Sequence, residues 1–304
     1  MRENRQGKAL DAFDRNYRDP NHKPELLCAL TPFWALKGFR RAEAIADTFQ
    51  QLRIGELRLE TAALLAERSA AGIRRFFLAL LSLDADRRRR ALGEAAAEAR
   101  RNARAEPAFD WIVRLHSRYP SDIGALAPAL LNLVQLGPGE GLFLPAGEPH
   151  AYLEGVGIEL MANSDNVLRG GLTDKHIDIR ELARVLRFEP ADVEILLPEP
   201  RGGERIFQTP AEEFELAIVE PRAGKPYRGP AERGAHIWLC VRGEGRIESE
   251  RSDERLEFRK GDSLLAPAAA GACRIDGDAK LFRAAVAGER LPGSIPSKQS
   301  FDKA

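Results

Sequence analysis

Two short segments of the sequence combine metal-binding side chains with rigid turns. The first is Asn21-His22-Lys23-Pro24-Glu25, and the second is Gly147-Glu148-Pro149-His150-Ala151-Tyr152. Carboxylates and imidazoles are oxygen and nitrogen ligands of zinc in proteins, and strands hold such ligands more precisely than loops do. A single histidine beside a proline is more often structural than a ligand. The spacing alone therefore leaves a metal site and a structural role both open.

A third polar segment, Asn163-Ser164-Asp165-Asn166, lies shortly before Arg169. Side chains of this kind can contact a ligand, and they can equally bond their own backbone in a polar turn. The residue types alone favour the turn.

Short strands are the elements that would position these side chains. ELLCALTPF, residues 25–33, is a brief apolar run between two prolines, which indicates a buried strand. Four similar runs lie between residues 131 and 162, separated by Gly-rich and Pro-rich turns. This spacing is typical of an antiparallel sandwich or barrel.

Helices are predicted between these two groups of strands. From Trp34 to about His116, Ala, Leu, Glu and Arg dominate, and Ile73, Phe76 and Leu80 recur on one helical face. We expect about five helices there. A short helical stretch over 177–186 is followed by a second β-rich segment from about Pro190 to Val286.

The composition excludes several classes of protein. The chain has 304 residues, and 46 Lys and Arg balance 46 Asp and Glu. This balance argues against a general nucleic-acid binder, which needs a basic surface. No run approaches the roughly 20 apolar residues of a membrane span, and the charged N-terminus lacks the apolar core of a signal peptide. With three widely spaced cysteines, we predict a cytoplasmic protein without nucleic-acid or membrane partners.

A resemblance to a known family rests on residues 21–40, NHKPELLCALTPFWALKGFR, and 143–179, FLPAGEPHAYLEGVGIELMANSDNVLRGGLTDKHIDI. They closely resemble type I phosphomannose isomerases, the zinc-dependent mannose-6-phosphate isomerase family. The first is similar to the family's N-H-K-P-E-x-x-x-A-L-T-P-F signature, and the second to its G-E-P-H-A-Y and M-A-N-S-D-N-V-x-R-x-G-L-T signatures. The order of the helical and C-terminal β segments is also similar.

The resemblance implies a cupin-like fold, mainly β with a helical insertion. We therefore expect four segments. Residues 1–33 would be part of a catalytic cupin domain, 34–122 a helical insertion, 123–190 the rest of the catalytic domain, and 191–304 a cupin-like β domain.

The resemblance also implies roles for individual residues. Glu25 and His150 match zinc ligands, and Arg169 matches the catalytic arginine. Less specific matches place four further residues around a sugar phosphate: His22, Lys23, Glu159 and Lys175. The implied reaction interconverts mannose 6-phosphate and fructose 6-phosphate.

The chemistry of that reaction suits these residue types. Moving a proton between adjacent carbons passes through an enediol or enediolate, whose developing negative charge a guanidinium can stabilise. Zinc can polarise or orient the sugar oxygens. Glu159, Asp165 and Lys23 are all candidates for the proton shuttle, and the sequence does not choose between them.

One departure from the family concerns the metal. The resemblance implies two more zinc ligands, a Gln and a His in a Q-x-H-P segment upstream of the first signature, and residues 1–20 contain no such segment. We therefore expect the chain to lack the family's N-terminal part, and to bind zinc weakly and turn over poorly as it stands. The alternative is a catalytically inactive cupin-type protein that binds a sugar phosphate or a partner.

Overall fold

The structure is a computed structural model that describes residue 3 and residues 7–173, 176–229 and 234–287. The chain divides into two compact units, Met1–Leu196 and Leu197–Ala304. Residues 191–196, which we assign to the C-terminal domain from the sequence, lie in the first unit. The reason is a pair of backbone hydrogen bonds, of 2.8 and 2.9 Å, that Leu196 and Gly141 exchange.

Two three-stranded antiparallel sheets form the β part of the first unit. One sheet has the order β4 (Gly141–Leu144), β1 (Glu25–Ala29), β6 (Gly157–Met161). The other has the order β3 (Leu131–Leu136), β2 (Phe33–Phe39), β5 (His150–Glu154). A single apolar cluster contains Leu27 and Leu142 of the first sheet and Ala35 and Val134 of the second. The core of this β part is therefore shared by the two sheets.

Strand β2 lies where the composition predicts the start of the helical region. The first helix begins at Ala42 rather than at Trp34, so the helical prediction is wrong for residues 34–39. The strand is covered on both faces, because Ala35 packs in the core shared by the sheets and Leu36 packs against the helices. A strand buried on both faces lacks polar alternation, and periodicity alone does not separate it from a buried helical segment.

Five helices follow β2, as the periodicity predicts. They are α1 (Ala42–Gln51), α2 (Arg58–Ala66), α3 (Ala70–Leu81), α4 (Ala85–Asn102) and α5 (Pro107–Arg118). Short 3₁₀ turns occupy Gly55–Leu57 and Ile123–Leu126, and the four-residue helix α6 (Ala127–Leu130) leads into β3. Ile73, Phe76 and Leu80 of α3 are buried in one core with β2. The apolar face of α3 therefore packs the helical region against the outer face of the sheet that contains β2.

The chain returns from β6 through an irregular segment to α7 (Ile179–Val185), whose N-terminus is capped by the Asp178 carboxylate on the Glu181 N–H. That irregular segment carries Arg169. Lys175 lies outside the described residues.

The second unit is an antiparallel sheet in the order β12-β11-β14-β9-β8-β7, with β10 paired to β14 and β13 to β11. Its strands are β7 (Glu199–Arg201), β8 (Glu204–Ile206), β9 (Glu215–Val219), β10 (Tyr227–Arg228), β11 (His236–Ser249), β12 (Arg255–Arg259), β13 (Ser263–Ala266) and β14 (Cys273–Ala285). A 3₁₀ turn spans Ala268–Ala270. The two units together make the fold mainly β with a helical insertion, as predicted.

Candidate metal centre and active site

The facing surfaces of the two sheets of the first unit change from apolar to polar toward one end. On β1, Glu25 shares a face with the core residue Leu27, because alternate residues of a strand point to the same side. On β2, Lys37 shares a face with the core residue Ala35 and pairs across the sheet with His150 of β5. The strand registers therefore bring the charged residues of both sheets to one end of the core.

Glu25 and His150 meet at that end. Glu25 Oε2 lies 3.3 Å from His150 Nε2, and Glu25 Oε1 lies 3.2 Å from Lys23 Nζ. His150 Nδ1 lies 3.0 Å from the backbone carbonyl oxygen of Glu148. Because a carbonyl can only accept, Nδ1 carries the proton and Nε2 is the nitrogen that faces the carboxylate. A proton or a metal ion must lie between Nε2 and the carboxylate for the two acceptors to approach in this way.

The spacing of these two atoms fits a zinc ion. Zinc binds imidazole nitrogen at about 2.0–2.1 Å and carboxylate oxygen at about 2.0–2.2 Å, so two ligands of a tetrahedral ion lie about 3.3–3.5 Å apart. The observed separation of 3.3 Å falls in this range. Within the described residues, no group of three or more His, Cys, Asp or Glu side chains could hold a metal ion. Glu25 and His150 thus fit as two ligands of a site that needs further donors.

The electrostatics of the pair favour a positive charge opposite Glu25. Desolvation raises the pKa of Glu25, but His150 and Lys23 outweigh it and the pKa is lowered. Desolvation lowers the pKa of His150, but its bonds to Glu25 and to the Glu148 carbonyl outweigh it and the pKa is raised. The site therefore holds an ionised carboxylate against a cation, which is the environment that a metal ion would use.

Glu159 stands on the same face of the first sheet as Glu25. It pairs with Leu27 across β1 and β6, and Leu27 is two positions from Glu25. Desolvation raises the pKa of Glu159; its contact with Tyr152 lowers it and the nearby Glu25 raises it, so that the net shift is upward. The buried Tyr152 hydroxyl lies against Glu159, and desolvation and this carboxylate raise the pKa of the phenol. The pKa values of the two carboxyl groups are therefore shifted in opposite directions. The shift favours the ionised form of Glu25 and the protonated form of Glu159.

A hydrogen-bond clamp joins the polar segment before Arg169 to the segment before Lys23. The Asp19 carboxylate accepts from the Ser164 hydroxyl at 2.9 Å and from the Asp165 N–H at 2.8 Å. The Asn166 side chain accepts from the Arg18 N–H at 2.8 Å and donates to the Asp19 and Asn21 carbonyls at 3.0 and 2.9 Å. The third polar segment is thus more than a turn bonded to itself, because most of these bonds reach another part of the chain.

The segment after Arg169 is fixed on its other side by the 3₁₀ turn at Ile123–Leu126. Asp122 accepts hydrogen bonds from the Gly124 N–H at 2.7 Å and from the Thr173 N–H at 3.2 Å. Gly171 has φ of +152°, and a Cβ there would lie 2.9 Å from the Gly124 Cα. Arg169 is half-buried, and no ion pair of its guanidinium is found within the described residues. The chain therefore holds Arg169 between two anchored stretches.

The structure brings together four of the seven residues that the resemblance implies, namely Lys23, Glu25, His150 and Glu159. His22 is exposed in the same segment as Lys23, Arg169 lies in the anchored segment, and Lys175 is outside the described residues. The residues that sequence reasoning missed are Asp19, Lys37, Glu148, Tyr152 and Asn166. Glu148, Tyr152 and Asn166 lie inside the recognised signatures, but nothing in the residue types separates a supporting role from a turn or a core role.

Comparisons with known proteins agree with this geometry. Residues 3–42 match the family model "Phosphomannose isomerase type I, catalytic domain". The mannose-6-phosphate isomerase of Salmonella typhimurium is 38% identical over 289 residues, covering 93% of this chain and 71% of the relative. That of Escherichia coli is 37% identical over 286 residues, with the same two coverages. The chain belongs to the type I phosphomannose isomerase family.

Solved structures show the same similarity. A zinc-bound mannose 6-phosphate isomerase aligns with a TM-score of 0.85 and 36% identity, over 94% of this chain and 71% of that one. The Salmonella typhimurium enzyme bound to its substrate fructose 6-phosphate and to zinc aligns with the same TM-score, identity and coverage of the two chains. These matches confirm the cupin-like fold. In the part of the chain that the structure describes, no helix combines the length and the apolar character that crossing a bilayer requires.

Proposed function

We propose that this chain is a zinc-dependent isomerase that interconverts mannose 6-phosphate and fructose 6-phosphate, and that it binds zinc weakly and turns over poorly until further donors complete the site. The observation that carries the proposal is the 3.3 Å approach of Glu25 Oε2 to His150 Nε2, two residues from separate family signatures. The substrate assignment is supported by the names of the curated relatives and by the relative solved with fructose 6-phosphate and zinc.

Glu25 and His150 would hold the zinc ion as two of its protein ligands. The resemblance implies that a Gln and a His of a Q-x-H-P segment complete the set. When bound, zinc supplies polarisation of the sugar oxygens at the carbons between which the proton moves.

Glu159 is our candidate for moving the proton between the two carbons. A group that exchanges protons with a carbon acid works best when its pKa lies nearer the working pH than that of an ordinary carboxyl. Desolvation and the neighbouring Glu25 shift the pKa of Glu159 in that direction. Asp165 and Lys23 are less suited, because Asp165 is exposed and Lys23 pairs with the carboxylate of Glu25.

Arg169 would stabilise the oxyanion of the enediolate. A guanidinium keeps its charge and presents a planar fork of donors, which suits an oxyanion on adjacent oxygens. The substrate phosphate needs further positive charge, for which His22, Lys23 and Lys175 are the candidates.

The alternative, a catalytically inactive cupin-type protein that binds a sugar phosphate or a partner, is not favoured. Its supporting feature is the absence of Q-x-H-P from residues 1–20. The curated relatives that match most of this chain are named as isomerases. We further propose a cytoplasmic location, since three widely spaced and buried cysteines suit a reducing compartment, and no nucleic-acid partner for a chain of zero net charge.

A coupled assay tests the proposal. Mannose 6-phosphate is supplied to the purified chain with zinc and after chelation, and formation of fructose 6-phosphate is followed. The 304-residue chain is assayed beside a version extended in frame into the DNA upstream of its first codon. Glu25→Gln and His150→Asn should abolish zinc-dependent turnover, whereas Glu154→Gln, on the far end of β5, should not. Turnover that persists in both variants, or none in any zinc-loaded form, would contradict the proposal.

A further inference from the structure

A buried ion pair, formed by Lys37 and Glu148, lies beside His150. Lys37 Nζ is 3.7 Å from Glu148 Oε1, and the two side chains are each only 9% exposed. Burying two charges carries a large desolvation penalty before their attraction is counted, and an apolar pair of similar size is often at least as stable. The fold therefore keeps two charges at a position where stability alone does not require them.

The pair is tied to His150 by two routes. Lys37 is the cross-strand partner of His150 on β2 and β5. Glu148 supplies the backbone carbonyl that accepts from His150 Nδ1 at 3.0 Å. The turn at residues 147–149 is thus linked to β2 through a side chain and to the imidazole through its backbone.

The neighbouring backbone is shaped around this pair. Gly38 has φ of +60°, and a Cβ there would lie 2.6 Å from Glu148 Oε1 and 2.3 Å from the Ala191 Cβ. The Gly38 N–H donates to the Pro149 carbonyl at 2.8 Å. Asn132 Nδ2 donates to the Lys37 carbonyl at 3.1 Å and to the Ala191 carbonyl at 3.1 Å. The Glu148 carboxylate therefore occupies a space that only a glycine at position 38 leaves open.

We propose that the buried Lys37–Glu148 pair positions His150. The pair holds the turn at 147–149 so that the Glu148 carbonyl keeps the proton on Nδ1 and leaves Nε2 directed at Glu25. In this role Lys37 and Glu148 are positioning residues that touch no reacting atom. The inference rests on the proposed function in one respect, namely that His150 is a metal ligand.

Fixing the tautomer matters because only a deprotonated nitrogen binds a metal. Partners of the distal nitrogen of a metal-binding histidine set its ring orientation and tautomer, and losing them typically lowers metal affinity about 10–100-fold. Here that partner is a carbonyl in a turn between two strands. Its position depends on what holds the turn, and the Lys37–Glu148 pair is the side-chain contact that does so from β2.

The test is the double variant Lys37→Met/Glu148→Gln, which removes both charges and leaves neither buried alone. Two quantities are measured on the full chain. The first is the hydrogen bond from His150 Nδ1–H to the Glu148 carbonyl, read from the protection of that proton against solvent exchange in zinc-free protein at a pH where the ring carries both protons. The second is the affinity for Zn²⁺ alone, by competition with a chromophoric chelator. The matched control is Arg283→Met/Glu204→Gln, which neutralises a buried pair with an Nη2–Oε2 distance of 2.8 Å in the second unit.

We expect the wild-type Nδ1 proton to be protected from exchange by its bond to the Glu148 carbonyl, and the double variant to lose this protection and about 10–100-fold in Zn²⁺ affinity. The control should lose stability without either change. A folded double variant with wild-type protection of the Nδ1 proton and unchanged Zn²⁺ affinity would overturn the inference. If the double variant does not fold, the same two quantities are measured on Glu148→Asp, which keeps the charge but withdraws the carboxylate from Lys37. The same outcomes then support or overturn the inference.

The exchange measurement separates this inference from the proposed function. A wild-type chain that neither binds Zn²⁺ nor isomerises sugar phosphate would refute the proposed function. The protection of the Nδ1 proton, compared between wild type and double variant, would still decide whether Lys37 and Glu148 position the ring.

Discussion

His150 Nε2 lies 3.3 Å from Glu25 Oε2, while Nδ1 of the same ring lies 3.0 Å from the Glu148 carbonyl. Each residue starts a strand, β5 and β1 respectively, and the two strands belong to different sheets with the entire helical region between them in the chain. A pair held in this way by backbone registers is already organised before any metal arrives. Such preorganisation is what a zinc site on rigid strands requires.

Replacement of Glu159 tests our choice of proton-transfer group. In the zinc-loaded enzyme, Glu159→Gln should lower kcat on the order of 10²–10⁴-fold, because an amide cannot take up or return the proton. The acid limb of the kcat/KM profile should lie above the ordinary glutamate pKa of about 4.3, in the direction of the upward shift of the Glu159 pKa. Asp165→Asn is the matched control and should change kcat far less; the reverse order of the two variants would move the role to Asp165.

Arg169→Ala should lower kcat on the order of 10²–10³-fold and change KM less, since the guanidinium acts on charge that develops in the transition state. Arg169→Lys should restore only part of the rate, because an ammonium lacks the planar fork. Steady-state kinetics of the zinc-loaded enzyme measure both values. Arg89→Ala, an exposed arginine on α4, serves as control. Near-normal kcat in Arg169→Ala would show that Arg169 has a structural role.

The clamp around Asn166 should contribute to both stability and activity. Asn166→Ala removes the acceptor for the Arg18 N–H and the donor to the Asp19 and Asn21 carbonyls, and should cost about 1–3 kcal/mol in the free energy of unfolding. Denaturant titration measures this cost, and proteolysis reports the loosening of the segment that carries Arg169. Asn163→Ala is the control, because only the backbone carbonyl of Asn163 takes part in the clamp. Equal stability of the two variants would contradict the importance of the clamp.

Asp19 gives the clamp a pH dependence. The Asp165 N–H lowers the pKa of Asp19, desolvation raises it, and the Asn21 N–H and Ser164 hydroxyl lower it further, so the net shift is downward. A carboxyl whose pKa is lower in the folded than in the unfolded chain stabilises the fold above its unfolded pKa of about 3.9. That contribution disappears as the pH falls through the lower, folded value.

The stability difference between wild type and Asp19→Asn should therefore be largest above about pH 4 and shrink below it. Thermal unfolding across this pH range measures the difference. Asp11→Asn, at an exposed position, should show no such trend. A difference for Asp19→Asn that stays constant down to the acid end would argue against an ionised clamp.

Much of the fold and the centre of the site could be predicted from the sequence. The signatures around Glu25 and His150 are long and ordered, and the apolar stripe of α3 has the helical period, so the convergence of these two residues and the helical insertion could both be predicted. Strand β2 could not be predicted in this way, because it is covered on both faces and so carries no alternating pattern.

The residues that support the site could not be predicted from the sequence either. Charged residues such as Lys37 and Glu148 are normally exposed, and only the registers of β2 and β5 show that this pair is buried behind His150. The clamp between Asp19 and Asn166 joins segments from opposite sides of the helical insertion, and no local rule on turn residues predicts such a contact.

The shared metal site of Glu25 and His150 is tested most directly by anomalous diffraction at the zinc edge from crystals equilibrated with Zn²⁺. The account predicts one anomalous peak between the two side chains, at about 2.0–2.2 Å from Glu25 Oε and from His150 Nε2. Loss of that peak in Glu25→Gln and in His150→Asn crystals would complete the assignment. A zinc peak bound elsewhere, with no density between Glu25 and His150, would contradict it.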